Sequence, residues 1–285
     1  GASKGEGLGN KFLANIRETN AIAHVVRCFD DENIVHVEGS VNPLRDADII
    51  NTELIIADYE SMEKRLNKES KIAKSGDADA KAMVAIIERV MAALDQGLPA
   101  RTVEISKEEA PLAHKLHLIT RKPMLYVANT ADPTEENEYV AKVQELAKKE
   151  GAQVVVLSGK MEAEIMEIED EEDRLMFLEE MGLTQTGLDR LAHAAFNLLG
   201  LQTYFTAGEK EARSWTIRQG WKAPQAAGVI HTDFEKGFIK AAIYSCDDFF
   251  ELGSEAALKS AGKLRLEGKD YVMQDGDVAD FRFNV

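Results

Sequence analysis

The feature that most constrains the fold is a pattern of short apolar runs separated by helical segments. Residues 21–29, 123–128 and 153–157 are apolar runs of the length expected for buried strands. A segment of helical character, from about 134 to 150, separates the last two runs. Strands that alternate with helices predict a parallel sheet covered by helices on both faces. We therefore expect an α/β domain.

Polar and small residues follow two of these strands directly, where a parallel sheet binds its ligands. Because the carboxyl ends of parallel strands meet at one edge of the sheet, both loops should border the same crevice. The amide of Asn129 could bond the edge of a base, and Thr130 could present backbone groups to it. Small residues in the second loop would let the backbone approach the ring. The residues that we expect to contact a nucleotide base are Asn129, Thr130, Asp132, Ser158, Gly159 and Lys160.

The sequence contains no recognisable motif for binding the phosphates of a nucleotide. No Gly-x-x-x-x-Gly-Lys-Ser/Thr occurs in the 285 residues, although the amides and lysine of that motif supply most of the attraction for phosphates. The glycine-rich stretch 1–10 follows no strand, and its spacing fits neither phosphate fingerprint. These residues alone should therefore bind a nucleotide weakly. Asn129 could instead cap a helix or close an Asx turn before Pro133.

Long helical periodicity from 46 to about 96 predicts a helical hairpin, which we place at about 46–98. Ser75-Gly-Asp77 breaks the pattern into two helices. The charged exterior of the hairpin fits a solvated arm or a partner contact, and the sequence leaves both open. Further helices are expected near 106–119 and 188–199.

A change of composition near residue 200 predicts a second domain. Residues 201–285 hold most of the Trp, Phe and Tyr of the chain and contain segments of alternating polarity. We therefore predict a first domain at 1–199 and a small α+β domain at 200–285.

Cysteine and histidine residues give little sign of metal chemistry. Cys28 and Cys246 are isolated, so we predict neither a disulfide framework nor a zinc site and interpret both as core thiols. His24 lies within an apolar strand and is expected in the core. His231-Thr-Asp233 offers too few ligands for a metal, and we expect its Thr and Asp to cap a helix. No metal ligand is predicted.

The net charge of −16 argues against a broad electrostatic grip on nucleic acid, and it leaves a local basic patch possible. We expect no DNA sequence specificity. An acidic run at 162–180 favours a solvated helix face over a binding role. No apolar run is long enough to span a bilayer, and no signal segment opens the sequence, so we expect a cytoplasmic protein without membrane contact.

Several long motifs resemble one family, the YchF/OLA1 proteins, which are Obg-related P-loop NTPases. The resemblance covers the whole chain. The motifs that carry it include Gly1-Ala-Ser-Lys-Gly-Glu-Gly-Leu-Gly-Asn-Lys-Phe-Leu13, Val25-Val-Arg-Cys-Phe29, Leu201-Gln-Thr-Tyr-Phe-Thr-Ala-Gly208, His231-Thr-Asp-Phe-Glu-Lys-Gly-Phe238 and Phe281-Arg-Phe-Asn-Val285.

This resemblance implies a P-loop NTPase-type parallel sheet, an inserted α-helical hairpin and a C-terminal TGS domain of β-grasp type. In the family, the P-loop and the first switch precede the stretch that matches 1–10, which belongs to the second switch region. The resemblance therefore implies that 1–199 is the remainder of an NTPase domain, either a fragment or a sequence whose first portion was not recorded. As such it should not hydrolyse ATP alone.

The family prefers ATP to GTP, a choice associated with Asn-x-x-Glu in place of the guanine motif Asn-Lys-x-Asp. The four residues here, Asn129 to Asp132, lack the Lys but carry Asp where the ATP form has Glu. ATP is therefore the favoured ligand, with GTP possible. The family also implies Mg²⁺, with its ligands in the missing segment. His36 resembles a histidine of the family's mobile loop and is our candidate for positioning the attacking water. A structural histidine bonded within its loop is the alternative.

The leading hypothesis is a ribosome-associated, YchF-type protein that binds and hydrolyses ATP when complete. The family implies the ribosome or ribosomal RNA as the partner. The alternative is a non-catalytic RNA- or ribosome-binding module that acts through the helical arm and the TGS domain.

Overall fold

The structure is a computed structural model that describes residues 8–208 and 211–284. The glycine-rich stretch singled out in the sequence lies mostly outside the described residues, and so does the last residue of the C-terminal motif. The chain divides into two compact units, 1–195 and 196–285. Each unit is described by itself.

The first unit alternates helices with three strands, and its last helix, α8, continues past residue 195 into the second unit. In chain order its elements are α1 (Leu8–Glu18), β1 (Ile22–Arg27), α2 (Pro43–Ala73), α3 (Ala78–Asp95), a 3-10 turn (Ala100–Thr102), α4 (Ala110–His114), β2 (Met124–Asn129), α5 (Glu138–Glu150), β3 (Gln153–Leu157), α6 (Gly159–Glu167), α7 (Glu171–Glu180) and α8 (Gly187–Leu198).

The three strands form a parallel sheet in the order β1-β2-β3. The central strand β2 is buried along its first five residues, as expected for a strand with a neighbour on each edge. Val26, Tyr126 and Val143 belong to the core between the sheet and its helices. His24 is buried and stacks on Tyr126 with ring centroids 5.3 Å apart, and burial lowers its pKa. The predicted α/β architecture with a parallel sheet is confirmed.

The helical hairpin is also confirmed, and it begins slightly earlier than predicted. The side chain of Asn42 accepts a hydrogen bond from the Arg45 backbone and caps α2 at Pro43. Asp77 caps α3 in the same way, accepting from the backbone N–H of Ala80 at 2.8 Å. The two helices share a buried apolar seam. Its fully or nearly fully buried members include Met62, Met83, Ile86, Ile87 and Val90.

Two predicted helices are shorter than expected. The helix placed at 106–119 is reduced to α4, and His117 beyond it adopts a left-handed backbone with φ of 49°, which cannot continue a helix. The helix placed at 134–150 begins at Glu138, because Asn137 supplies its N-cap. In the first case apolar residues continue past the end of the helix, at Leu116, Leu118 and Ile119. In the second case the polar residues 134–137 precede the first turn of the helix or cap it instead of forming that turn.

The second unit is a mixed α+β fold. Its elements are β4 (Leu201–Ala207), β5 (Ala212–Arg218), α9 (Ala223–Ile230), α10 (Thr232–Lys236), β6 (Phe238–Ser245), α11 (Cys246–Leu252), α12 (Glu255–Ser260), β7 (Arg265–Glu267) and β8 (Asp277–Phe283). The sheet order is β5-β4-β8-β6-β7, with β4 and β8 parallel and the other pairs antiparallel. A central parallel pair with an antiparallel neighbour on each side, and with a helix packed on the sheet, is the β-grasp arrangement that the family resemblance implied.

The core of this unit forms where α9 packs on the sheet. Tyr204 is fully buried, and its hydroxyl donates to the Ala226 carbonyl of α9 at 2.9 Å. The cap of α10 differs from our expectation. His231, rather than Thr232 or Asp233, occupies the N-cap, and its Nδ1 accepts from the backbone N–H of Asp233 at 3.2 Å. The imidazole Nδ1 of His231 therefore caps the free backbone N–H of Asp233, as a serine or threonine hydroxyl at the N-cap would.

The two cysteines differ in burial. Cys28 is fully buried, and burial raises the pKa of its thiol to about 11. Cys246 is partly buried and packs against the core cluster of Tyr244, Leu258 and Val278, so it lies at the edge of the core, and burial raises the pKa of its thiol as well. Both thiols are free.

Candidate functional site

The loops after β2 and β3 are joined by a side chain. Asn129 ends β2, and its Oδ1 accepts a hydrogen bond from the backbone N–H of Gly159 at 2.9 Å. A Cβ built at Gly159 would lie 3.4 Å from that same oxygen, so glycine leaves room for the close approach. Gly159 is the first residue of α6, and Asn129 therefore satisfies one of the free N–H groups of that helix. The Asn129 side-chain nitrogen has no hydrogen-bond partner among the described residues.

Thr130 faces the interior. It is buried, its backbone N–H donates to the Leu157 carbonyl at 2.9 Å, and its Oγ1 accepts from the side chain of Asn137 at 3.1 Å. The backbone N–H of Thr130 is therefore already bonded to β3, so the carbonyl is the backbone group that Thr130 could present to a base. Thr130 instead fixes the separation of the two loops.

Asn137 is the residue that sequence reasoning missed. Its Oδ1 accepts from the backbone N–H groups of Tyr139 and Val140 at the start of α5, and its Nδ2 donates to the Cys28 carbonyl at 2.8 Å and to Thr130. One side chain thus links the ends of β1 and β2 to α5. The signal was present, since Asn directly before a periodic helix is an N-cap pattern, but the helix had been placed from 134.

Asp132 carries the charge of the site. Its Oδ1 accepts from the backbone N–H of Thr134 at 2.8 Å and from the Thr134 hydroxyl at 2.6 Å. These hydrogen bonds, led by the one from the hydroxyl, hold the pKa of the carboxyl below its usual range, so it is ionised at neutral pH. Its Oδ2 has no partner in the described part of the chain. The loop after β2 therefore offers one carboxylate acceptor, from Asp132, and one amide donor, from Asn129.

The remaining two predicted site residues have different surroundings. Ser158 is buried and caps α6, with its hydroxyl accepting from the Met161 backbone at 3.4 Å, so the hydroxyl is engaged in the helix. Lys160 is 89% exposed and lies 3.9 Å from the Glu164 carboxylate on the same helix. The structure thus brings together Asn129, Gly159 and Ser158, whereas the Lys160 side chain extends into solvent.

His36 is held by its own region of the chain. Its Nε2 lies 2.8 Å from Oδ2 of Asp46 in α2, and its Nδ1 accepts from the backbone N–H of Glu38 at 3.1 Å. Arg45 bonds the other carboxylate oxygen of Asp46. Both ring nitrogens are engaged, which is the arrangement of a structural loop histidine.

The acidic run at 162–180 is not uniformly solvated. Glu162 is buried, and its two oxygens accept from the backbone N–H groups of Gly187 and Leu188 at 2.7 and 3.1 Å. A carboxylate at the N-terminus of α8 interacts favourably with the helix dipole. The expectation of a solvated face is therefore wrong for Glu162, while Glu171 and Glu172 of α7 are exposed.

A parallel α/β unit with polar strand-end loops and an inserted helical hairpin, followed by a β-grasp unit, defines a two-unit α/β protein. Residues 201–284 match the family model YchF-GTPase_C, described as a protein of unknown function (DUF933). The whole chain is 54% identical over 290 residues to the "Ribosome-binding ATPase YchF" of Bacillus subtilis and 52% identical over 286 residues to that of Escherichia coli O157:H7. It covers 79% and 78% of those relatives. The chain belongs to the YchF family.

A solved structure supports the same assignment. The "Structure of the Schizosaccharomyces pombe YchF GTPase" matches 99% of this chain and 77% of that one, with a TM-score of 0.82 and 40% sequence identity. Among the described residues, no helix is long and apolar enough to cross a membrane. Those same residues contain no group of three or more His, Cys, Asp or Glu side chains that could hold a metal ion.

Proposed function

We propose that this protein binds the adenine base of ATP in the loops after β2 and β3, takes part in ATP hydrolysis and associates with ribosomes. The observation that carries the proposal is the hydrogen bond between Asn129 and Gly159. It fixes two loops at the carboxyl edge of a parallel sheet, where such sheets bind ligands, and leaves the Asn129 N–H donors free among the described residues. The names of the bacterial relatives support the ATPase activity and the ribosome as partner.

The polar groups of the site suit adenine better than guanine. Purine N7 is an acceptor in both bases, so the Asn129 amide can donate to either. Oδ1 of Asp132 already accepts two hydrogen bonds from Thr134, which leaves Oδ2 for the ligand. One acceptor oxygen fits the single amino group of adenine. Guanine would present one of two edges to Asp132. Its N1–H and N2–H groups are two parallel donors that need both carboxylate oxygens as acceptors, and its O6 carbonyl is repelled by the carboxylate.

Replacing Asp132 by Asn should shift the base preference away from adenine and toward a base that carries a carbonyl at the same position. Thr134 needs an acceptor, so it should hold the amide oxygen and leave the amide nitrogen facing the ligand as a donor. Affinity for ATP should fall about tenfold, the effect of one charge-assisted hydrogen bond. ITP, which carries a carbonyl in place of the amino group, should lose less affinity or gain. The amide NMR shift of Gly159, followed during titration with each nucleotide, reports weak as well as tight binding.

The matched control is Asp79→Asn, an exposed aspartate on the helical hairpin. It should leave both titrations unchanged. An ATP-to-ITP ratio that does not move in Asp132→Asn would show that this carboxylate does not contact the base. If the Gly159 amide shift does not change when ATP is added to the unmodified chain, the proposal that the loops after β2 and β3 bind the base is wrong.

Mg²⁺ would supply charge neutralisation on the phosphates when bound, and the described residues give it no assigned ligands. His36 remains our candidate for positioning the attacking water. Its Nε2 would first have to break the hydrogen bond with Asp46. Replacing His36 by Ala should lower the rate of ATP hydrolysis at least tenfold without changing ATP affinity. Asp46→Asn, which releases the ring, should not lower it. Equal rates in His36→Ala and the unmodified protein would leave His36 with the structural role alone.

A further inference from the structure

A cavity of about 590 Å³ opens in the first unit between α1, α2 and the segment after α4. Buried apolar side chains of Leu13, Ala57, Met62 and Leu116 form part of its wall. The charged groups of its lining are Arg17, Glu60, Lys64, Arg65, Lys68 and Lys115, and His117 lies beside them. Five cations therefore face one carboxylate, in a chain whose net charge is −16.

Three of these cations lack a carboxylate partner. Arg17 pairs with the buried Asp58, and Arg65 lies 2.8 Å from the Glu69 carboxylate. Lys64, Lys68 and Lys115 make no ion pair with any residue in the part of the chain that the structure describes. Lys64 and Lys68 are one helical turn apart on α2, about 6 Å along its axis, so both line the same side of the cavity.

The rim of this cavity is fixed by the backbone of His117. This residue has φ of 49°, a left-handed conformation that favours glycine, and its carbonyl accepts from Arg17 at 2.9 Å. Arg17 also bonds Asp58 and the Ala57 carbonyl, so one guanidinium joins α1, α2 and the rim. The backbone segments that carry the lysines are therefore already joined to one another, so a ligand does not have to bring them together on binding.

We propose that this cavity binds the phosphodiester backbone of RNA. Lysine ammonium groups act as point charges for phosphates, and the lining offers no Phe, Tyr or Trp on which a base could stack. An acidic protein segment would need exposed apolar anchors, whereas the apolar wall named above is buried. The net charge of −16 opposes broad binding of nucleic acid, so a local cluster of cations such as this one is needed to hold it. This inference rests on the proposed association with ribosomes and names the surface responsible.

The test compares the double variant Lys64→Gln/Lys68→Gln with Lys148→Gln/Lys149→Gln. Both pairs are exposed, and both changes remove two positive charges. Protein-free ribosomal RNA is the first probe, in filter binding over a range of salt concentrations, and intact ribosomes are the second, in co-sedimentation. The cavity variant should bind RNA on the order of tenfold more weakly, and its slope of log affinity against log salt should be shallower by about 2. The control pair should match the unmodified chain.

The two probes separate the possible failures. If the unmodified chain does not co-sediment with ribosomes, the proposed function fails. If it co-sediments and the cavity variant does so equally well, the cavity assignment is overturned and the proposed function stands. If the cavity variant loses ribosome binding but the unmodified chain does not bind protein-free RNA, the partner is an acidic ribosomal protein, which overturns the RNA assignment.

Discussion

Replacing Asp58 by Ala should lower the free energy of unfolding by about 3–5 kcal/mol, because it removes one partner of a buried ion pair and several further hydrogen bonds. Asp58 is fully buried on α2. Its Oδ1 accepts from Arg17 and from the backbone N–H of Ile119, and its Oδ2 accepts from the backbone and hydroxyl of Thr120. After the change, two buried N–H groups lose their acceptor.

Urea unfolding followed by circular dichroism measures the loss. Asp58→Asn should recover little stability, because the amide replaces one acceptor oxygen with a donor that faces N–H groups. Glu63→Ala, an exposed residue on the same helix, should change stability by no more than about 0.5 kcal/mol. A stable Asp58→Ala protein would mean that α2 is not anchored to the segment before β2 through this carboxylate.

Asp58 also shows where prediction from the sequence stopped. The pattern of α2 predicted a helix with charged residues on its outer face, and nothing in it separates Asp58 from the solvated acids around it. Its backbone partners lie 61 and 62 residues further along the chain. Periodicity reports which element a residue belongs to, whereas a buried charge is recognised only when its distant partners are known.

The same contrast holds for the candidate site. Asn129 and Gly159 could be placed at neighbouring strand ends because the βα pattern fixes where parallel strands finish. The hydrogen bonds that Thr130 and Ser158 make within the fold could not be predicted. Small polar residues after a strand can bond either a ligand or neighbouring parts of the chain, and the sequence does not distinguish the two. Glu162 is a third residue whose role could not be predicted. It lies within a run of solvated acidic residues, and nothing in that run distinguishes the one carboxylate that is buried and caps a helix. The βα pattern thus predicted which loops lie together, and only tertiary contacts showed which of their atoms are already bonded within the fold.

Replacing Asn137 by Ala should lower the free energy of unfolding by about 3 kcal/mol and weaken nucleotide binding as well. The loss of the α5 N-cap contributes about 1 kcal/mol, and each of the two acceptors left by Nδ2, the Cys28 carbonyl and the Thr130 hydroxyl, contributes about 1 kcal/mol more. With Thr130 released, the loop that carries Asn129 and Asp132 loses its attachment to α5. The change is measured by urea unfolding and by the Gly159 amide shift with ATP.

Asn137→Ser separates the two roles of this side chain. Serine is a good N-cap but lacks an N–H group for the Cys28 carbonyl and for Thr130, so it should restore about 1 kcal/mol and leave nucleotide binding weak. If Asn137→Ser is as stable as the unmodified chain and binds ATP equally well, the capping bonds alone account for Asn137. If instead it regains only the capping energy, the site depends on a residue that touches no ligand, because its amide nitrogen holds the ends of β1 and β2 against α5.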